Sequence, residues 1–206
     1  MYEEERRPSL VGRIFKALAI AIMFAVYGIL FVRFFVSCDS PLVEKIIKTD
    51  TIVASYENDE SFEIRKYVFT DFHRNINDGK LLMLNNMYHF PSTDELQISV
   101  KFNKDILTYH GDEFPFEFYL EDETLATYSD YIYEYDERYD FGYIRISFKG
   151  ISLEKTPQEL DENGLPVMKN YQMYIRMRDS SGEFRPFHDF SIYLGDRNYK
   201  KIQYAG

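Results

Sequence analysis

The sequence predicts a mainly-β protein: one transmembrane helix near the N-terminus, then an antiparallel β-sandwich, immunoglobulin-like in general architecture. Three observations predict it. A long uncharged apolar run stands near the start, and beyond it the apolar period changes from 3.6 to 2. The composition also favours strands, with 18 Tyr and 18 Phe in 206 residues and only three alanines (Ala54, Ala126, Ala205) after the run.

The apolar run comes first in the chain. Ala17 to Val32 carries no charge, and the apolar segment extends from Ile14 to Val36. As a helix it would reach about 34 Å at ~1.5 Å per residue, which matches a hydrocarbon core of ~30 Å with modest tilt. Lys16 and Arg33 stand near its ends, where long cationic side chains reach the headgroups. The run is too long for a usual signal-peptide core, and no small-x-small cleavage site follows it. A core helix would show a polar face, which this one lacks. Residues 1–13 then read as a short cytoplasmic tail and 14–36 as the span. Arg6, Arg7, Arg13 and Lys16 on one side outnumber Arg33, Lys45 and Lys48 on the other, and the remainder of the chain is strongly acidic. The positive-inside rule therefore predicts a cytoplasmic N-terminus and an extracytoplasmic C-terminal domain. Phe35-Val36-Ser37-Cys38 reads in two ways, as a degenerate lipobox or as a free thiol at the outer interface.

Ser40-Pro41 followed by LVEKIIK reads as an N-cap with proline at the first helical position, so 37–50 is expected to be a linker with a short juxtamembrane helix. Strands are expected at 51–56, 62–72, 81–88, 95–102, 115–120, 127–135, 143–153, 171–178 and 187–194. The clearest alternations are Leu96/Ile98/Val100/Phe102, Phe114/Phe116/Phe118/Leu120 and Ile144/Ile146/Phe148. The Gln, Ser, Lys, Glu and Arg between them are expected to face solvent, as in a sheet with one wet face. Asn77-Asp78-Gly79, His110-Gly111-Asp112, Asn163-Gly164 and Asp179–Gly182 supply the turns. Thr156-Pro157-Gln158-Glu159 fits a capping box, predicting one helical turn among the strands. The sandwich is expected over 51–196, with a polar tail at 197–206.

Composition excludes several function classes. The net charge of -10 argues against nucleic acid, whose phosphates need Lys and Arg. One cysteine excludes a disulfide framework and a Cys-based zinc site. No Asn begins an Asn-x-Ser/Thr acceptor, which with the missing disulfides suggests a bacterial envelope. No phosphate-binding glycine loop, nucleophile elbow, zincin or EF-hand motif is present, so no metal, cofactor or catalytic residue is expected. His73, His89, His110 and His188 stand near strand ends, and Asp71 shares a strand face with His73. Nothing in their spacing draws them together, and they read as structural or solvated.

One segment stands out. Tyr128–Tyr143 (YSDYIYEYDERYDFGY) interleaves tyrosines with carboxylates. Tyrosine offers rigid contact area with a polar tip and is enriched at interfaces, and carboxylates beside it suit basic peptides or sugars. Tyr128, Tyr131, Tyr133, Tyr135, Asp136, Glu137, Tyr139 and Asp140 are the candidate partner-binding residues. The competing reading is an ordinary strand with exposed tyrosines feeding a solvated acidic turn. The expectation is a membrane-anchored binding or scaffold module with a protein or glycan partner. The alternative is a membrane-tethered hydrolase acting on glycans or peptides through Asp and Glu carboxylates.

Overall fold

The computed structural model describes residues 10–37, 39–58, 62–69, 73–76, 80–109, 111–155, 160, 162, 167–192 and 199–203. The chain divides into two units, Met1–Asp39 and Ser40–Gly206. In the first, α1 (Leu10–Ser37) is one continuous 28-residue helix. Its Val11–Val32 stretch has a mean hydropathy of 2.3 and none of it is buried, so it is long and apolar enough to cross a membrane. Cys38, and with it the lipobox question, lies outside the described residues.

The second unit is mainly β. Its strands are β1 (Ile64–Val68), β2 (His73–Ile76), β3 (Lys80–Phe90), β4 (Glu95–Asn103), β5 (Phe116–Asp122), β6 (Thr127–Tyr128), β7 (Tyr131–Arg138), β8 (Phe141–Lys149), β9 (Tyr171–Arg178), β10 (Phe184–Ile192) and β11 (Lys200–Ile202). The larger sheet runs β11-β1-β3-β4-β8-β7, with β2 also on β3; the smaller runs β10-β9-β5-β6. Every pairing within them is antiparallel. The alternating apolar residues meet between the sheets. Leu96, Ile98, Val100, Phe102, Ile144, Ile146 and Phe148 pack in one core with Phe116, Phe118, Leu120, Met173 and Ile175. The sandwich and its inner faces are as the alternation predicted.

Other expectations need correction. Residues 51–56, expected as a strand, lie in a helix, α2 (Asp50–Asn58). The Thr49 hydroxyl accepts from the Ile52 N–H at 3.2 Å and its carbonyl from the Val53 N–H at 3.0 Å, with Asp50 in the first turn. That cap, together with burial of Ile52 against Ile64, Tyr88 and Phe90, outweighs the strand preference of Thr51, Ile52 and Val53. The expected strand 127–135 is two strands in different sheets: β6 pairs β5, and β7 pairs β8 after the chain crosses at Ser129-Asp130. Within the tail, β11 pairs β1, with Ile202 opposite Ile64 and Lys201 2.7 Å from Glu63. The capping box at 156–159 lies outside the described residues.

The largest correction concerns the face expected to be wet. Gln97, Ser99, Glu95, Arg145 and Ser147 project from the outer face of the larger sheet, yet all are buried. Ser40–Thr49, expected as a linker, lies over them. Ser40 caps a single 3-10 turn, Pro41–Val43, accepting from the Leu42 N–H at 3.1 Å. Leu42 and Val43 then pack on Tyr143. The Val43 carbonyl accepts from Asn86 Nδ2 at 2.8 Å and from Arg145 Nη1 at 3.4 Å. The Gln97 side-chain amide holds both main-chain groups of Ile47, at 2.9 and 2.8 Å, as a neighbouring strand would. Glu95 accepts from the hydroxyls of Thr49, Thr51 and Ser147. The strap thus supplies partners to Asn86, Glu95 and Gln97 on a face that water would otherwise solvate, while the Ser99 hydroxyl has no hydrogen-bond partner among the described residues.

Arg145 is the costliest group beneath it. Its guanidinium donates to Asn86 Oδ1 and lies 4.2 Å from the Tyr88 ring centroid. Its Nε and Nη2 have no hydrogen-bond partner among the described residues. Burial pushes its pKa down to about 10, against the opposing pull of Tyr88 and Glu44.

Two outcomes test this packing. Gln97→Ala leaves the Ile47 N–H without its partner and the Ile47 C=O with the Thr49 N–H alone, at 3.2 Å, and is expected to cost about 1–3 kcal/mol in denaturant unfolding. His89 is buried at the end of the core, and burial first, then the Arg65 guanidinium, lower its pKa to about 4. The unfolded chain binds that proton near pH 6.5, so stability falls as pH drops from 6.5 towards 4, by about 3 kcal/mol at the lower end. His89→Gln should remove that part of the fall; an unchanged pH profile of Tm would count against a buried neutral imidazole.

Candidate functional site

β7 owes its place to its two faces. Tyr131, Tyr133 and Tyr135 stand opposite Phe148, Ile146 and Ile144, so their rings lie on the inner face of the larger sheet, at its rim. Ile132, Glu134 and Asp136 stand opposite Ser147, Arg145 and Tyr143, on the face the strap covers. Lys45 meets Glu134 at 2.6 Å, and the Ser40 hydroxyl donates to Asp136. The strand is therefore gripped on both faces.

The tyrosines divide in role. Tyr128, on β6, donates to Asp122 at 3.0 Å, and the same carboxylate accepts from Thr124 and Ala126 to tie the turn after β5. Tyr131 is half-buried against Phe118 and Phe148, with ring centroids 5.8 and 5.5 Å away, and its hydroxyl accepts from the Phe118 N–H at 3.3 Å. Tyr143 is buried under the strap. The outward residues are Tyr133, Tyr135 and Tyr139, at 41%, 36% and 54% exposure. Tyr133 stacks on Phe114 at 3.9 Å. The Tyr135 hydroxyl donates to Glu137 at 2.5 Å, and Lys104 reaches the same carboxylate at 3.1 Å. Those contacts, the tyrosine bond first, lower the Glu137 pKa, while burial and the carboxylate raise that of Tyr135. Tyr139 turns the chain with φ 51°, and the Asp140 carbonyl accepts from the Lys104 N–H at 2.8 Å. The segment is thus neither one exposed surface nor aromatic core throughout.

Two hollows open along this rim. One, of about 680 Å³, is lined by Phe118, Tyr119, Thr127, Ser129, Tyr131 and Tyr133, with Glu117 and Arg176 paired at 2.5 Å at its side. The other, of about 400 Å³, includes Leu107, Tyr109, Phe114, Tyr133, Tyr135 and Glu137. Tyr133 belongs to both, and its stack on Phe114 stands between them. The hollows exist because β6 pairs only Leu120 and Glu121 of β5, leaving the rim from Phe116 to Tyr119 facing β7 across the gap. Sequence reasoning missed Phe114, Phe118, Tyr119 and Arg176 as lining residues; only the sheet switch at Ser129-Asp130 brings them to Tyr131 and Tyr133.

Of the histidines, His110 lies outside the described residues, as does Asp71, the expected neighbour of His73, and His188 packs edge-on to Phe190 at 4.6 Å. Among the described residues no group of three or more His, Cys, Asp or Glu side chains could hold a metal ion. Comparison with protein families, curated proteins and solved structures gives no match to this chain.

The division of roles is open to test. Tyr131→Ala should cost about 2–4 kcal/mol by chemical denaturation, since it empties a half-buried ring site and frees the Phe118 N–H. Tyr139→Gly should instead hold or raise stability, because glycine takes the left-handed turn without strain. Equal losses in the two variants would show that the rim is not organised in this way.

Proposed function

We propose that this protein is a single-pass, membrane-anchored binding or scaffold module of the cell envelope, with its N-terminus cytoplasmic and its sandwich extracytoplasmic. The binding site is the rim of the sandwich between β5 and β7. Support for the anchor comes from the exposed apolar surface and length of α1. Support for the direction comes from the basic residues before the span and the acidity of the chain beyond it.

One observation carries the site. Tyr133 and Tyr135 present partly exposed rings in register, held by Phe114 and Glu137, with Tyr133 lining both hollows of the rim and Tyr135 the smaller. Rings fixed in this way lose little entropy on contact, which is the property that makes tyrosine effective at interfaces. The larger hollow has one lining carboxylate, Glu117, held by Arg176; of Asp112, Glu113 and Glu137 in the smaller, Glu113 and Glu137 are held by Arg178 and Lys104. That arrangement favours binding over hydrolysis by a free carboxylate pair.

The test is site-directed photo-cross-linking in intact membranes. A benzophenone side chain at position 133 of the full chain is expected to join a discrete partner, and one at exposed position 185 on β10 is not. Tyr135→Ser should reduce the yield from position 133 several-fold while moving Tm by only a few degrees. Equal cross-linking from 133 and 185 would remove the rim from consideration.

A further inference from the structure

We infer that the rim takes an extended basic peptide, added as a strand to the open side of β7. This rests on the rim being the binding site and names the class of its occupant. Exposed strand edges invite pairing, and folded proteins usually blunt them by shortening, proline, bulges or cover. Here β11 has three residues and β6 two. β10 carries Pro186 in mid-strand, with a register shift between Pro186 and His188. β7 alone among these is long and regular: eight residues pair β8 without a shift, and no described strand lies along its other side.

Its main-chain groups are set for pairing. The Lys149 N–H donates to the Asp130 carbonyl at 3.1 Å, which makes Asp130 and Lys149 a hydrogen-bonded pair. Antiparallel ladders alternate, so the even-numbered residues of β7 bond to β8. The N–H and C=O groups of Tyr131, Tyr133, Tyr135 and Glu137 therefore point to the open side. A strand added there sends alternate side chains inward, toward the two hollows on either side of Tyr133. Main-chain bonds supply affinity and the hollows supply selection, as in other cases of strand addition. The intervening side chains of the added strand fall beside Glu134 and Asp136.

Charge selects among occupants. From Asp130 to Asp140 the segment holds five carboxylates and one arginine. Lys45, Arg138 and Lys104 meet three of them in part-exposed pairs that a further cation can share. A second copy of β7 would bring the same carboxylates against their own kind, so self-pairing is disfavoured and a peptide with Lys or Arg at alternate positions is favoured.

The experiment uses the full chain in nanodiscs of zwitterionic lipid and a dye-labelled peptide of alternating lysine and valine, as long as β7. Anisotropy should show saturable binding, with an alternating glutamate–valine peptide at least tenfold weaker. Residue-resolved amide exchange should slow at Tyr131, Tyr133, Tyr135 and Glu137, and not at Ile132 or Glu134. Tyr133→Pro, which removes an outward N–H and the ring, should weaken binding by roughly tenfold or more. Tyr133→Phe should stay within about twofold, since strand addition does not use the hydroxyl. Equal affinity for the acidic peptide, or binding without protection of those four amides, overturns strand addition. If those amides are protected without peptide, in a concentration-dependent dimer, the occupant is a second copy and the basic-peptide inference falls. Failure of the peptide while position 133 still cross-links a partner removes only this inference; loss of both removes the rim as a site.

Discussion

The fold of the second unit depends on a polar sheet face that must not be left bare. On the outer side of the larger sheet, Glu95, Gln97, Ser99, Arg145 and Ser147 line up on the adjacent strands β4 and β8, all of them buried. Buried polar groups cost free energy unless each finds a partner, and a buried guanidinium costs most. An apolar cover would leave them unsatisfied. Ser40–Thr49 instead offers main-chain N–H and C=O groups, two hydroxyls and a few aliphatic side chains, and it fits because it is not a regular helix. A helix over that stretch would turn its main-chain groups inward on itself; the single 3-10 turn and the irregular run after it leave the Val43 carbonyl and both groups of Ile47 able to reach the sheet.

Much of the sandwich was legible in the sequence because its inner faces are apolar on alternate residues and nothing else competes with that pattern. Leu96 to Phe102 and Ile144 to Phe148 fix which side of each strand is core, and the structure places them there. The outer face was not legible for the same reason turned around. Gln, Glu and Arg between apolar residues look alike whether water or a strap satisfies them, and only contacts across 46 to 102 positions distinguish the two. The signal that was present lay in the strap: Leu42, Val43 and Ile47 are too apolar for a bare linker. At α2, Thr51, Ile52 and Val53 favour a strand, and the Thr49 cap with burial of Ile52 decided the outcome.

For the candidate site, the segment was legible and its division was not. Tyrosines at 131, 133 and 135 share a face of any strand through those positions, which period alone dictates. What separates Tyr131 from Tyr133 and Tyr135 is the distance of each from the crossing at Ser129-Asp130. Near the crossing the two sheets are close, and Tyr131 reaches the main chain of Phe118. Farther along, the nearest aromatic on the opposite side is Phe114, which precedes β5, and the rings there are partly exposed. No residue type in the segment encodes that difference; it arises from where one strand ends and the next begins.

The strap and the rim are mechanically joined, which bears on what the rim can do. A terminal strand has a partner on one side only and would ordinarily fray, yet a surface that receives another chain gains affinity from being ordered beforehand. β7 is ordered from three directions. β8 pairs its whole length, Phe114, Phe118 and Phe148 hold the tyrosines from within, and Ser40 and Lys45 hold Asp136 and Glu134 from without. The residues that cover the polar sheet face are thus the ones that fix the acidic side of the rim. Disturbing the strap would uncover Arg145 and Glu95 and, in the same step, release the two carboxylates that flank the open edge. Folding of the outer face and ordering of the open edge of β7 are in this way one structural event, and the strap residues Ser40 and Lys45 serve both.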